Sequence, residues 1–241
     1  CDAFAVAQSD GEDKPAIKSN HVYSTYTIED PALTATMPTK QTISTSIDAI
    51  NHALEAATTI VTSPYYIGLA KEAIRLVITY LPTAIAEPSN LTARYWLLYA
   101  SAIAGMSFDL GLRHITHSME HAMSAINAKV THGDGLGIIM PAMVKEIYPA
   151  VPEVIADLFE PAIPNLKGTP SETDFVVEKL RAWCHSVGQG TDMGAYFSKS
   201  DIPALVKTTM NSSVSKLLLP MAPIKADEAV VERIFTTSFA S

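Results

Sequence analysis

Residues 114–132 read HITHSMEHAMSAINAKVTH, and this segment holds four of the seven histidines of the chain. If the segment is helical, His114, His117 and His121 follow one another at intervals of three or four residues and share one face. Helix interiors rarely stack imidazoles, because each has a weak helix propensity and each buried ring nitrogen needs a partner. The pattern indicates either a polar face with hydrogen-bonded histidines or a face that carries ligands.

Two other segments extend this pattern. In SIDAINHALEA, Asp48 and His52 are four positions apart on a strongly helical stretch, which alone is also typical of a first-turn aspartate followed by a surface or core histidine. His132 opens THGDGLGIIMPAM, whose glycines follow no strand and therefore do not form a dinucleotide-binding loop. One carboxylate and three imidazoles from neighbouring helices are suited to a divalent first-row metal such as Fe²⁺ or Zn²⁺.

The composition narrows the classes of partner. The chain has 241 residues, of which 48% are hydrophobic and 17% charged, so it is globular. Its net charge of −8 argues against nucleic acid or an anionic membrane surface as a partner. No apolar run reaches the roughly eighteen residues of a membrane span, and the start does not resemble a signal peptide. Two cysteines are too few for a disulfide framework, so we expect a cytoplasmic setting.

The first thirty residues differ from the rest. DAFAVAQ and HVYSTYTIED have the alternating, β-branched and aromatic character of strands, and helical periodicity begins near Asp30. Two strands alone are marginal in water, and the chain starts at Cys1 inside an alternating stretch, so a fragment of a longer protein is expected. The predicted fold is mainly α, a helical metal domain preceded by a short strand pair. Its helices are predicted at 40–60, 64–80, 90–107, 109–127, 133–148, 151–160, 171–187, 201–212 and 226–238.

These motifs resemble the iron-containing (group III) alcohol dehydrogenases. The resemblance is carried, in family order, by DPALTATMPTKQTISTSIDAINHALEA, AIRLVITYLPTAI, ASAIAGMSFDLGLRHITHSMEHAMSA and THGDGLGIIMPAM. It continues through NSSVSKLLLPMAPIKADEAVVERIF to the C-terminus. It implies that residues 1–30 are the last strands of a largely absent dinucleotide-binding α/β domain. Residues 31–241 would then be the all-α catalytic domain that binds the metal.

The resemblance also implies roles for individual residues. The catalytic metal would be bound by four of them: Asp48, His52, His117 and His132. His121 matches a further active-site histidine, a candidate for proton relay, whereas His114 matches no ligand and is expected to be a helix-face histidine. Lys14 falls where the family often has a lysine near the nicotinamide ribose. The chain departs from many members in having fifteen rather than fourteen positions between the last two ligands, and Thr131 in place of a common proline.

The implied activity is the oxidation of a small alcohol, or the reduction of an aldehyde or ketone, with NAD or NADP as cofactor. The metal, Fe²⁺ or Zn²⁺, would polarise the substrate oxygen. The isolated chain is expected to be inactive without the cofactor domain, and a homodimer formed through that domain is left open. A non-catalytic, metal-binding helical module is the alternative. A metal-dependent hydrolase fits an open metal site but not the match along the whole chain.

Overall fold

The computed structural model describes the backbone of residues 4–6 and 16–239, and side chains from residue 19 onward except that of Leu110. Lys14 lies outside the described residues. Within them, ten α-helices follow a two-stranded antiparallel pair, in which β1 (Phe4–Val6) lies alongside β2 (Ala16–Lys18). The helices are α1 (Thr39–Thr58), α2 (Pro64–Ala86), α3 (Leu91–Gly111), α4 (Ile115–Ile126), α5 (His132–Ile147), α6 (Pro152–Leu158), α7 (Thr173–Ser186), α8 (Ile202–Asn211), α9 (Ser213–Leu218) and α10 (Glu228–Thr237). The mainly α prediction is confirmed.

Helix α1 is the centre of the domain. It packs against α2, α3 and α5, and its Ile47, Ile50 and Leu54 side chains are fully buried. Burial of three such branched aliphatic side chains, at about 1.5–3 kcal/mol each, holds the helix between its neighbours. Side-chain caps define where two of these neighbours, α2 and α3, begin. Asn90 accepts from the Ala93 amide at 3.0 Å and starts α3. The residues carried by α1 are therefore fixed in place on a rigid, covered element.

The prediction of a second strand at HVYSTYTIED is wrong. β1 pairs instead with Ala16–Lys18, and Ser19 then caps a short 3₁₀ turn at Asn20–Val22. Tyr26 and Ile28 in the following extended segment are 90% and 88% exposed. Among the described residues no strand runs alongside this segment. Its alternating pattern therefore does not produce a strand, because a strand needs a partner for its backbone hydrogen bonds.

The break between the helices predicted at 90–107 and 109–127 was placed too early, at residue 108. α3 continues to Gly111 and α4 starts at Ile115, because the chain turns sharply at Leu112, which has φ of 62°. A leucine rarely adopts this left-handed region, so the turn has to be maintained by the packing around it. Two further differences are smaller. α2 runs past Pro82, whose ring faces solvent, and the short α9 was not predicted.

No helix in the described part of the chain combines the length and the apolar character needed to cross a bilayer.

Candidate metal centre

Four side chains from three helices meet at one point. Asp48 and His52 leave α1 one turn apart, with His52 Nε2 3.6 Å from Asp48 Oδ1. His117 of α4 brings its Nε2 atom to 3.4 Å from the same oxygen, and His132 at the start of α5 brings its Nε2 atom to 3.6 Å. The structure thus brings together, around Asp48 Oδ1, all four residues that the sequence singled out as candidate ligands.

His114 lies outside this cluster, and the expectation of a helix-face histidine is wrong. It is the residue before α4, where its Nδ1 atom accepts a hydrogen bond from the Ile115 amide at 2.8 Å. The Thr58 hydroxyl donates to Leu54 O at 2.7 Å, so it accepts from His114 Nε2–H at 2.9 Å. Burial lowers the pKa of His114. This neutral, fully hydrogen-bonded imidazole starts α4 and holds it against α1.

The start of α5 is set by a close contact with α1. A Cβ atom at Gly133 would lie 2.0 Å from the Ser44 carbonyl oxygen, so glycine permits the approach that brings His132 to Asp48. The loop before it closes through hydrogen bonds from the Lys129 and Val130 amides to Asn127. This turn accommodates the fifteen-position interval between the two histidines.

Two buried glutamates were missed by the sequence analysis. His117 Nδ1–H donates to Glu55 Oε2, and His132 Nδ1–H donates to Glu120 Oε2. Both glutamates are fully buried. A periodic signal existed for each, since Glu55 follows His52 by three positions and Glu120 follows His117 by three positions. Each glutamate therefore lies one helical turn beyond a candidate ligand.

The charges of the site follow from this arrangement. Burial alone would raise the pKa of Asp48, but the His52, His117 and His132 rings hold it well below its usual range. Burial alone would also raise the pKa of Glu55, which its histidine neighbours lower to about 2. Burial lowers the pKa of His52 and Asp48 raises it; burial has the larger effect, so the pKa lies far below its usual value. The site therefore presents two ionised carboxylates and a neutral imidazole.

His117 connects these two carboxylates. Burial alone would lower its pKa, but Glu55 and Asp48 together raise the pKa above its usual value. Because Nδ1–H donates to Glu55, the Nε2 atom faces the carboxylate oxygen of Asp48. A positive centre is needed between those two atoms, whether a proton or a metal ion.

The donor atoms fit a metal ion. Asp48 Oδ1, His52 Nε2 and His117 Nε2 are buried, and none has a hydrogen-bond partner among the described residues. They lie within 4.8 Å of one another. Ligands bound tetrahedrally at about 2.1 Å are about 3.4 Å apart, close to the spacings around Asp48 Oδ1. The set of one carboxylate and three imidazoles suits Fe²⁺ or Zn²⁺.

His121 occupies a different place from the three imidazoles around Asp48. It is buried on α4, one turn beyond His117, and its ring centroid is 5.9 Å from that of His132. Glu120, His121 and His132 also place one donor atom each within 4.8 Å of the others. The His121 ring thus lies beside the cluster, on the side of His132.

One side of the cluster is covered by an aromatic ring and another is open. Phe108 stacks on His52 with ring centroids 4.3 Å apart, and the Arg113 guanidinium carbon lies 4.7 Å from the Phe108 ring centre. The Asp48 and His132 side chains are 26% and 30% exposed, whereas His117 is fully buried. Among the described residues, the cluster is therefore most open to solvent at Asp48 and His132.

Residues 42–239 match the family model described as the C-terminal part of the Fe-containing alcohol dehydrogenase family. The chain belongs to the iron-containing alcohol dehydrogenase family. It is 48% identical over 240 residues to a long-chain primary alcohol dehydrogenase of Thermoanaerobacter ethanolicus, covering 99% of this chain and 60% of that relative.

Solved structures share the fold. An NADH-dependent butanol dehydrogenase of Thermotoga maritima superposes with a TM-score of 0.88 at 22% identity, over 99% of this chain and 62% of that one. An archaeal halo-thermophilic alcohol dehydrogenase from a Red Sea brine pool superposes with a TM-score of 0.91 at 21% identity, over 99% and 60%. The chain thus spans about 60% of the length of these relatives.

Proposed function

We propose that this chain is the metal-binding part of a nicotinamide-dependent alcohol dehydrogenase. In this proposal residues 31–241 are the catalytic helical domain, and residues 1–30, with Lys14 near the cofactor, belong to a dinucleotide-binding domain. The observation that supports it most strongly is the convergence of three buried donor atoms without hydrogen-bond partners in the described structure, those of Asp48, His52 and His117. The names of its relatives, which include a long-chain primary alcohol dehydrogenase, agree with this activity.

The proposed reaction interconverts an alcohol and an aldehyde or ketone, with hydride transfer to or from NAD or NADP. Asp48, His52, His117 and His132 would hold a divalent cation, Fe²⁺ or Zn²⁺. When bound, such a cation acts as a Lewis acid that polarises the substrate oxygen.

The residues of this chain have separate tasks in the proposal. Asp48 would supply the one negatively charged ligand of the cation site, and the three imidazoles would supply its nitrogen ligands. Phe108 covers His52 and keeps water from that side of the ring. His121 would take the hydroxyl proton of the alcohol, because an imidazole ring can accept a proton and this ring lies beside His132. The open side past Asp48 and His132 would admit the substrate.

The test is an oxidation assay of the full-length protein with NAD and NADP over a series of primary alcohols. Asp48→Ala and His117→Ala should both lose bound metal and turnover. His185→Ala is the matched control, because this histidine lies on α7 and contacts Thr191 at 2.9 Å, away from the cluster. Wild-type metal content and turnover in both site variants would overturn the proposal.

The alternative of a non-catalytic metal-binding module makes a different prediction. A module would bind metal but would not bind NAD(H) or NADP(H) in either the 241-residue chain or the full-length protein. Isothermal titration of both proteins with each dinucleotide separates the two readings. Tight dinucleotide binding by the full-length protein supports the dehydrogenase.

A further inference from the structure

The two buried glutamates, Glu55 and Glu120, contact the histidine nitrogens that face away from Asp48. Each accepts from the Nδ1–H of one histidine, Glu55 from His117 and Glu120 from His132. A neutral imidazole carries its proton on one nitrogen only, so this contact decides which nitrogen has the free lone pair. In both rings that nitrogen is Nε2, the atom directed at Asp48 Oδ1.

We propose that Glu55 and Glu120 are positioning residues, which fix His117 and His132 in the one tautomer and ring orientation that can bind a cation beside Asp48. The proposal rests on the metal site proposed above. A carboxylate behind a ligating imidazole also makes its free nitrogen a stronger electron donor. The pair thus prepares the site before any metal arrives.

The packing around Glu120 favours this role over that of an incidental buried charge. A Cβ atom at Gly135 would lie 2.9 Å from Glu120 Cγ and 3.1 Å from Val130 Cγ1, so α5 leaves room for this side chain. A buried carboxylate is costly unless it is paired or hydrogen-bonded. Glu120 is fully buried, and His132 is the partner to which its Oε2 atom is directed.

Glu55 also makes a second contact, so a substitution there tests the proposal less selectively than one at Glu120. Its Oε1 atom accepts from the Thr116 amide at 2.6 Å, at the start of α4. A carboxylate there satisfies a free helix amide and interacts favourably with the helix dipole. Removing Glu55 would therefore disturb α4 as well as His117, and Glu120 is the residue to change first.

The experiment uses the full-length protein, with variants Glu120→Ala and the nearly isosteric Glu120→Gln. Glu160→Ala, an exposed position on the protein surface, is the matched control. The first measurement is made without metal: long-range ¹H–¹⁵N spectra of the imidazole rings, which report the tautomer of each histidine. Glu120→Ala should lose the Nδ1–H form at His132 and keep it at His117. Glu120→Gln retains an acceptor oxygen and should keep the form at both.

The second measurement is Zn²⁺ affinity by competition with a chelator. Glu120→Ala should bind about 10- to 100-fold more weakly than wild type, Glu120→Gln less weakly than Glu120→Ala, and Glu160→Ala like wild type. Unchanged tautomers and affinity in Glu120→Ala would overturn the inference while leaving the proposed metal site intact. A wild-type chain without Zn²⁺ affinity would instead contradict the metal site, and the tautomer spectra would still decide the role of Glu120.

Discussion

His117 Nε2 faces Asp48 Oδ1 at 3.4 Å, and this contact joins α4 to α1 at the centre of the domain. The ring cannot turn away, because its other nitrogen donates to Glu55. Two buried atoms, Asp48 Oδ1 and His117 Nε2, thus face a common point that attracts positive charge. A cation bound there would bind the folded chain and not the unfolded one, so that metal and stability should be linked.

The first prediction concerns that linkage. Zn²⁺ at about 100 times its dissociation constant should raise the free energy of unfolding of the wild-type chain by about 2.7 kcal/mol. Asp48→Asn should remove most of this increment, because the amide cannot supply a negative ligand. Urea unfolding with and without Zn²⁺ measures this increment in each variant. Asp174→Asn is the control, because the Asp174 side chain is 85% exposed. An equal increment in wild type and Asp48→Asn would show that Zn²⁺ binds elsewhere.

The second prediction separates His121 from His117. In the full-length protein His121→Gln should retain metal and lose turnover, because its ring lies beside the Asp48 cluster and not among the three imidazoles around that oxygen. His117→Gln should lose the metal. Metal analysis and steady-state kinetics of both variants check this. Loss of metal from His121→Gln with retention in His117→Gln would mean that the two roles are reversed.

The third prediction concerns the contact that places His132. Gly133→Ala should destabilise the chain by about 1–3 kcal/mol and weaken Zn²⁺ binding, because its Cβ atom would overlap the Ser44 carbonyl. Gly68→Ala is the matched control. Gly68 lies within α2, and a Cβ atom there would have no other atom within 4 Å. Alanine at this position should therefore raise the free energy of unfolding by about 0.5–1 kcal/mol. Equal effects of the two substitutions would contradict the proposed role of the close approach.

The fourth prediction concerns Cys184, which is fully buried in α7. Burial raises the pKa of its thiol to about 12, so the folded chain keeps a proton that the unfolded chain loses near pH 9. Stability should therefore fall as pH rises from about 9 towards 12. In a Cys1→Ser variant, iodoacetamide at pH 9 should label the urea-unfolded chain rapidly and the folded chain slowly. Equal labelling rates would show that Cys184 is accessible.

Much of the fold could be predicted from local pattern. α1 is an example, because apolar residues at helical spacing and the pair Asp48 and His52 all lie within one element. A break between α3 and α4 was predicted, but its position at Leu112 was not, since a positive φ at a leucine depends on packing that a local pattern does not report. The segment at 21–30 was misassigned for a related reason. A strand pattern becomes a strand only where another strand is available to pair with it.

The types and intervals of these residues indicated a metal site, the family resemblance selected the four candidate ligands, and their role as ligands stays a prediction. Glu55 and Glu120 were not found, because a glutamate on a helix usually faces solvent. Only the arrangement of α1, α4 and α5 shows that these two are buried behind the histidines. Their burial depends on tertiary contacts, which the helical period of a single segment does not report.

The central claim is that Asp48, His52, His117 and His132 form one metal site, and cobalt tests it most directly. Titration of the wild-type chain with Co²⁺ in the absence of oxygen should reach one ion per chain. The intense visible absorption of a four-coordinate nitrogen and oxygen site should develop in parallel and saturate at that ratio. It should be absent from Asp48→Ala and His117→Ala and unchanged in His185→Ala. A wild-type chain that binds no Co²⁺, or site variants with the wild-type spectrum and stoichiometry, would contradict the account.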